Sequence, residues 1–159
     1  MTVQSDPFGD MQSLDNQICF ALYVANRAVT ARYRPLLVDL GLTYPQYLVM
    51  LVLWEQARSG RLTRVSDLGA RLRLDSGTLT PMLKRLADRG LVIRQRNLDD
   101  ERVVTVALTK AGHDLREQAG QIPGRLLRGI GVEPGRLVAL RDELRRVLSA
   151  LEQQVGASD

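Results

Sequence analysis

The sequence is short of several residue types, and each shortage closes off a class of protein. Among 159 residues there is one cysteine, Cys19, so no intramolecular disulfide can form and a disulfide-stapled secreted scaffold is excluded. A lone thiol in a reducing compartment is by default a small buried hydrophobe. The single histidine, His113, follows Thr109-Lys110-Ala111-Gly112 with no metal-ligand spacing around it, so it reads as a surface residue and no metal or other cofactor is expected. No apolar run approaches the roughly 20 residues of a membrane span. The first ten residues lack the basic and apolar regions of a signal peptide, so a cytoplasmic protein without membrane contact is expected. There is no Cys-x-x-Cys motif, no internal repeat and no low-complexity segment. Aromatic residues are few, and all lie between Phe8 and Trp54, with the four tyrosines between Tyr23 and Tyr47.

What is present is ordinary for a globular chain: 45% hydrophobic and 25% charged residues, a length that buries one sizeable core, and a net charge of +4. The charge is unevenly placed. From Arg58 to Arg102 there are eleven basic and six acidic residues, an excess that suits a polyanionic partner.

Periodicity orders the elements. Residues 1–12 carry none and read as a flexible tail. Leu14, Ile18, Leu22, Ala25 and Val29 form one face of an amphipathic helix with Ser13 as its N-cap, running to about Tyr33; Pro35 kinks or restarts it, and Gly41 stops it. Thr43 caps a second helix, with Pro45 in its first turn and a continuous apolar run from Leu48 to Trp54 that marks it as core. After a turn at Gly60, Val65, Leu68 and Leu72 give a short helix. The capping cluster Asp75-Ser76-Gly77-Thr78 then opens another, carrying Leu79, Leu83 and Leu86. Leu91 to Arg96 and Arg102 to Leu108 read as a β-hairpin. Thr109 caps a helix interrupted at Pro123-Gly124 and ending near Gly129, and a last helix from Pro134 to about Val155 has an apolar stripe at Leu137, Leu140, Leu144, Val147, Leu148 and Leu151. The expected fold is mainly α with a small β wing: a winged helix-turn-helix over about 43–110. The helices over 13–41 and 110–155 are surplus to that module, and their stripes most economically bury against a second copy of the chain, giving a homodimer.

The second helix of the motif offers Ser76, Thr78, Thr80, Lys84 and Arg85 as hydroxyl and cationic donors, and the wing adds Arg94, Arg96 and Arg102. These types suit double-stranded DNA, the helix at base edges and the wing at a minor groove or phosphates. Pro81 leaves two possibilities: a helix that begins at Ser76 and bends, or one that begins at Thr80 with Pro81 in its first position.

Three stretches, Leu14-Asp15-Asn16-Gln17-Ile18-Cys19-Phe20-Ala21-Leu22-Tyr23, Gly41-Leu42-Thr43-Tyr44-Pro45-Gln46-Tyr47 and Leu74-Asp75-Ser76-Gly77-Thr78-Leu79-Thr80-Pro81, resemble the organic-hydroperoxide-sensing OhrR branch of the MarR regulators. The resemblance covers 13 to about 150. Asp100-Glu101-Arg102 matches the family's Asp-x-Arg wing signature, in which Asp100 and Arg102 brace the hairpin. The resemblance implies a single MarR-type domain over 13–155 and a repressor of peroxide-resistance genes on a pseudo-palindromic operator. It implies that Cys19 is attacked by organic hydroperoxide, that Tyr33 and Tyr44 of the partner subunit hydrogen-bond to it, and that Tyr23 lines the same pocket. Members with a second, resolving cysteine form an intersubunit disulfide. This chain has none after Cys19 and resembles the one-cysteine type, in which a small thiol caps the sulfenate or over-oxidation locks it.

The residues around the thiol, read without the resemblance, leave its behaviour open. Cys19 is expected in the second turn of the first helix, with Tyr23 one turn on and Asp15 one turn back on the same face. Tyr23 can donate a hydrogen bond to a thiolate, whereas an ionised Asp15 would oppose it. The crowded aromatics could line an apolar pocket for a greasy peroxide, or simply be core. Two other readings remain on the table. A MarR-like repressor could be released by a reversible phenolic ligand; a one-cysteine peroxidase is disfavoured because nothing suggests a dedicated reductant.

Overall fold

The computed structural model describes residues 9–10, 12–97, 100 and 102–156. Most of the expected tail over 1–12, and Leu98, Asp99 and Glu101 at the tip of the wing, lie outside the described residues. The chain forms two compact units, Met1–Leu126 and Leu127–Asp159.

The first unit opens with a single 3-10 turn, Leu14–Asn16, rather than with the expected α-helix. Gln17 is extended (φ −81°, ψ 112°), its N–H closes the turn on the Leu14 carbonyl, and α1 begins afresh at Ile18 without a side-chain cap. Ser13 therefore caps nothing by its side chain, and Cys19 sits in the first turn of the helix, not the second. Helix α1 (Ile18–Val38) runs on through Pro35. The ring removes one backbone donor, and burial of Leu37 and Leu40 beyond it holds the last turn in place. Gly41 (φ +59°) ends it in a Schellman arrangement: Leu42 N–H donates to the Leu37 carbonyl at 3.2 Å and Gly41 N–H to that of Val38 at 2.8 Å.

Helix α2 (Tyr44–Arg58) starts as its sequence demands, with a reciprocal capping box between Thr43 and Gln46 and Pro45 in the first turn. Tyr47, Val49, Met50, Val52, Leu53 and Trp54 are all buried, so this helix is the centre of the core. Around it pack Leu68 from α3 (Val65–Leu72), Leu79, Leu83 and Leu86 from α4 (Ser76–Asp88), and Val92 and Val106 from the sheet.

The hairpin strands are β2 (Val92–Arg96) and β3 (Val104–Leu108), paired antiparallel with Val92 opposite Leu108 and Arg96 opposite Val104. A third strand, β1 (Thr63–Arg64), pairs with the other edge of β3 and was not foreseen, since two residues show no period. The wing is fixed to α5 (Lys110–Ala119) through Thr109, whose hydroxyl donates to the Gly90 carbonyl at 2.6 Å and accepts from Gly112 N–H at 3.0 Å. The chain then breaks at Gly120 and Gln121, and Pro123 lies in the first turn of α6 (Ile122–Leu127) instead of interrupting a longer helix.

The second unit contains α7 (Pro134–Gly156). Asp142 and Glu143 pair with Arg141, Arg145 and Arg146 along it, while Val138, Leu140, Leu144, Val147, Leu148 and Leu151 are exposed. No helix among the described residues is long and apolar enough to cross a membrane.

Candidate functional site

Two places on the first unit carry the candidate residues. The first is the outer face of α4 and the wing. Asp75 caps α4: one carboxylate oxygen accepts from Thr78 N–H at 2.8 Å and the other from the Thr78 hydroxyl at 2.9 Å. These bonds hold the Asp75 carboxyl below its ordinary range, so the cap stays ionised at neutral pH. The helix thus begins at Ser76 and Pro81 lies inside it. The donor that Pro81 lacks would have served Gly77; both residues are exposed, so that carbonyl faces water rather than the core.

Ser76, Thr78, Thr80, Lys84 and Arg85 are all exposed on α4, opposite buried Leu79, Leu83 and Leu86. The Thr78 hydroxyl is committed to Asp75 as a donor and offers only its lone pairs outward. Arg94 and Arg96 alternate with Gln95 and so share one face of β2. At the wing, Asp100 braces the turn through the backbone: its carboxylate accepts from Arg102 N–H at 3.0 Å and its carbonyl from Val103 N–H at 2.9 Å. Among the described residues, Lys84, Arg85, Arg94, Arg96 and Arg102 carry no ion pair, whereas Arg71, Lys110, Arg141, Arg145 and Arg146 each have an acidic neighbour. Exposed cations gathered on one helix and one hairpin suit a phosphate backbone.

The second place is α1 and the start of α2. Cys19 is exposed, beside exposed Ile18 and Leu22. Asp15 belongs to the 3-10 turn on the far side of the extended Gln17, so the helical spacing that would place it on the cysteine's face is broken. Tyr23 is 56% exposed, and Arg27, one turn on, donates to its hydroxyl oxygen at 3.1 Å and lies 5.5 Å from the ring centroid. Its O–H remains free to donate. Tyr33 stacks on Tyr44 with ring centroids 4.5 Å apart and lies 5.8 Å from Tyr47, which in turn meets Trp54 edge-on at 6.4 Å. Burial, then the neighbouring Tyr44 and Tyr47, push the Tyr33 hydroxyl up to about 12, and burial raises Tyr44 in the same direction. Both are therefore protonated donors at any physiological pH.

Cys19 does not join this cluster within one chain. Tyr33 lies fourteen positions further along the continuous helix, a rise of about 21 Å. Sequence reasoning named the tyrosines but missed Arg27, whose spacing from Tyr23 was legible, and Arg34, whose significance depends on a groove it shares with α2. That groove, about 520 Å³, is lined by Arg27, Thr30, Arg34, Thr43 and Tyr44 among others. His113 is exposed, and no cluster of His, Cys, Asp and Glu suited to a metal occurs among the described residues.

A capped, cation-bearing helix beside a basic β wing defines a winged helix-turn-helix of the kind found in transcriptional regulators. The family model described as transcriptional regulator SarA/Rot matches residues 31–118. The organic hydroperoxide resistance transcriptional regulator of Bacillus subtilis strain 168 is 45% identical over 146 residues, covering 91% of this chain and 96% of the relative. Among solved structures, reduced AbfR bound to DNA, from a Staphylococcus epidermidis protein, is 36% identical with a TM-score of 0.75 over 87% of this chain and 94% of that one. Disulfide-formed AbfR is 34% identical with a TM-score of 0.63, over 85% and 92%. The chain belongs to the MarR family of winged-helix transcriptional regulators, in the OhrR branch that regulates organic hydroperoxide resistance.

Proposed function

We propose that the protein is a cytoplasmic, homodimeric repressor that holds a pseudo-palindromic operator while Cys19 is reduced and releases it when an organic hydroperoxide oxidises that thiol. The observation that carries this reading is the placement of the only cysteine. It is exposed at the start of α1, about 21 Å along that helix from Tyr33, which packs with Tyr44 of α2, and so can meet this protonated pair only across a dimer. The exposed apolar residues Ile18, Leu22 and Val29 of α1, with Leu14 in the turn before it, and the stripe of α7 give a second copy something to cover. The DNA-binding winged helix is then residues 43–110, the dimerisation helices 13–41 and 110–155, within a single MarR-type domain over 13–155.

In the chemistry proposed, the Cys19 thiolate attacks the outer oxygen of the hydroperoxide, the O–O bond breaks, and the alkoxide leaves as alcohol after taking a proton. Tyr33 and Tyr44 of the partner subunit donate hydrogen bonds at the sulfur, with Tyr23 at the edge of the pocket. The sulfenic acid then meets a small thiol, forming a mixed disulfide and water. AbfR has been captured both reduced on DNA and with a disulfide formed, which supports a redox reading of this fold. With one cysteine per chain, the adduct here must be with a second molecule. In this reading Ser76, Thr78, Thr80, Lys84 and Arg85 of α4 and Arg94, Arg96 and Arg102 of the wing meet the DNA, which their exposure on one helix and one hairpin supports, and Asp100 braces the hairpin turn.

Subunit mixing tests the cross-dimer arrangement. Homodimers of the double variant Tyr33→Phe, Tyr44→Phe should oxidise slowly. Mixed with Cys19→Ser subunits, whose tyrosines are intact, they should recover the wild-type rate in the heterodimer. Recovery absent despite heterodimer formation would overturn it.

A further inference from the structure

The groove between α1 and the start of α2 is positively charged and has no counter-charge of its own. Arg27 and Arg34 line it, with Thr30, Thr43 and Tyr44, and no aspartate or glutamate is among its walls. Arg27 is engaged with Tyr23, but among the described residues nothing pairs with Arg34. Thr43 accepts from Gln46 N–H at 3.4 Å and keeps its own O–H for an outside acceptor. Thr43 and Tyr44 are also the N-cap and first residue of the fifteen-residue helix α2, so the positive end of that helix opens on the same space. A volume of about 520 Å³ is within the range of small-molecule sites.

Tyr44 is shared between this groove and the cluster assigned to Cys19 of the partner subunit in the proposed function, on which this inference rests. A molecule seated against Arg34 would thus share the Tyr44 wall with the sulfur of that proposed arrangement. We propose that the groove selects the thiol that caps oxidised Cys19, and that this thiol bears a carboxylate, held by Arg34 with Arg27 and the Thr43 hydroxyl. The step is a condensation: the incoming thiol sulfur bonds to the Cys19 sulfur, the S–O bond of the sulfenic acid breaks, and the hydroxyl leaves as water with the thiol's proton. No further oxidant or reductant is required. A neutral, apolar hydroperoxide has no use for the two guanidinium groups, so the charge of the groove points to the second reactant.

The test separates the two steps. The reduced dimer is oxidised with one equivalent of cumene hydroperoxide, which is uncharged, and the sulfenic acid is then offered glutathione or its diethyl ester while intact mass follows the mixed disulfide. The preference for glutathione over the ester in the wild type should exceed that in Arg34→Gln by about fivefold, the size of one charge pair at a partly exposed site. Arg27→Gln should lower it by less, and high salt should erase it. Dividing one protein's preference by the other's cancels the intrinsic difference between the two thiols. Arg34 is exposed and unpaired, so the variant keeps its fold. Equal preferences in wild type and variant overturn the proposal. So does discrimination confined to the first step, with a fatty-acid hydroperoxide oxidising faster than its methyl ester in an Arg34-dependent way, which would assign the groove to the peroxide. Loss of DNA affinity in reduced Arg34→Gln without change in thiol preference would assign it to the DNA backbone instead. Failure of cumene hydroperoxide to oxidise Cys19 at all removes the functional reading and this proposal with it.

Discussion

The Arg89 guanidinium, at the C-terminal end of α4, donates to the carbonyls of Gly41 and, at 3.0 Å, Leu40, at the C-terminal end of α1. One side chain thus joins the end of α1, whose first turn carries Cys19, to the end of α4, the helix proposed to meet DNA. Gly41 permits it twice over: it adopts φ +59°, and a Cβ there would stand 2.6 Å from the Arg89 Nη2.

Gly41→Ala should therefore cost more than Arg89→Ala. Truncating an exposed arginine that satisfies two helix-end carbonyls costs about 1 kcal/mol. An alanine held at positive φ adds about 1 kcal/mol of backbone strain and also displaces the guanidinium. Urea unfolding of both variants checks the order; Gly41→Ala at wild-type stability would show that the clamp contributes nothing.

Gly112 is the stronger packing constraint. A Cβ there would collide with the Leu91 carbonyl, which already accepts from Thr109 N–H at 3.1 Å, and the Gly112 carbonyl accepts from the Trp54 indole at 2.8 Å. Gly112→Ala should destabilise by about 2 kcal/mol or more, and Trp54→Phe by about 1–2 kcal/mol through the lost buried indole hydrogen bond. Denaturation midpoints at constant m-value measure both, and unchanged midpoints would contradict the packing described.

On the face proposed to meet DNA, Lys84→Ala and Arg96→Ala should each weaken binding of the reduced protein across unrelated sequences. Each should also lower the slope of log affinity against log salt by about 1. Arg71→Ala, already paired with Glu55 at 3.5 Å, should leave that slope unchanged. Fluorescence anisotropy over a salt series reads this out, and equal slopes for all three variants would remove the distinction between paired and unpaired cations.

Much of this was legible in the sequence because the signals were local. The Thr43 and Asp75 caps, the hairpin around Asp100 and the glycine stop at Gly41 each occupy a few adjacent residues, and all formed where the residue types required. The start of α1 was not legible, because the apolar stripe continues through Leu14 and Ile18 while the backbone breaks at Gln17 between them. Strand β1 was too short to carry a period, and Pro81 was ambiguous because its cost depends on whether Gly77 faces water or core. The candidate thiol site was legible in its residues but not in its geometry. Tyr33 and Tyr44 meet through the packing of α1 on α2, and the Arg34 groove exists only once that packing has occurred.

The stacked tyrosines also set an alkaline limit. A tyrosine whose folded value is raised from 10 to about 12 contributes stability that is fully present below pH 10 and is lost as pH rises through about 12. Replacing Tyr33 with phenylalanine should flatten the loss of stability across that window; an identical alkaline profile would argue that Tyr33 titrates freely.

The most direct test of the central claim follows DNA release and protein mass together, with wild-type protein and Cys19→Ser bound to the chain's own promoter region and treated with one equivalent of cumene hydroperoxide and a small thiol. Wild-type protein should leave the DNA as Cys19 gains oxygen or thiol mass, dithiothreitol should restore binding, and Cys19→Ser should stay bound throughout. Wild-type protein that remains on DNA with Cys19 fully modified, or a serine variant that is still released, would contradict it.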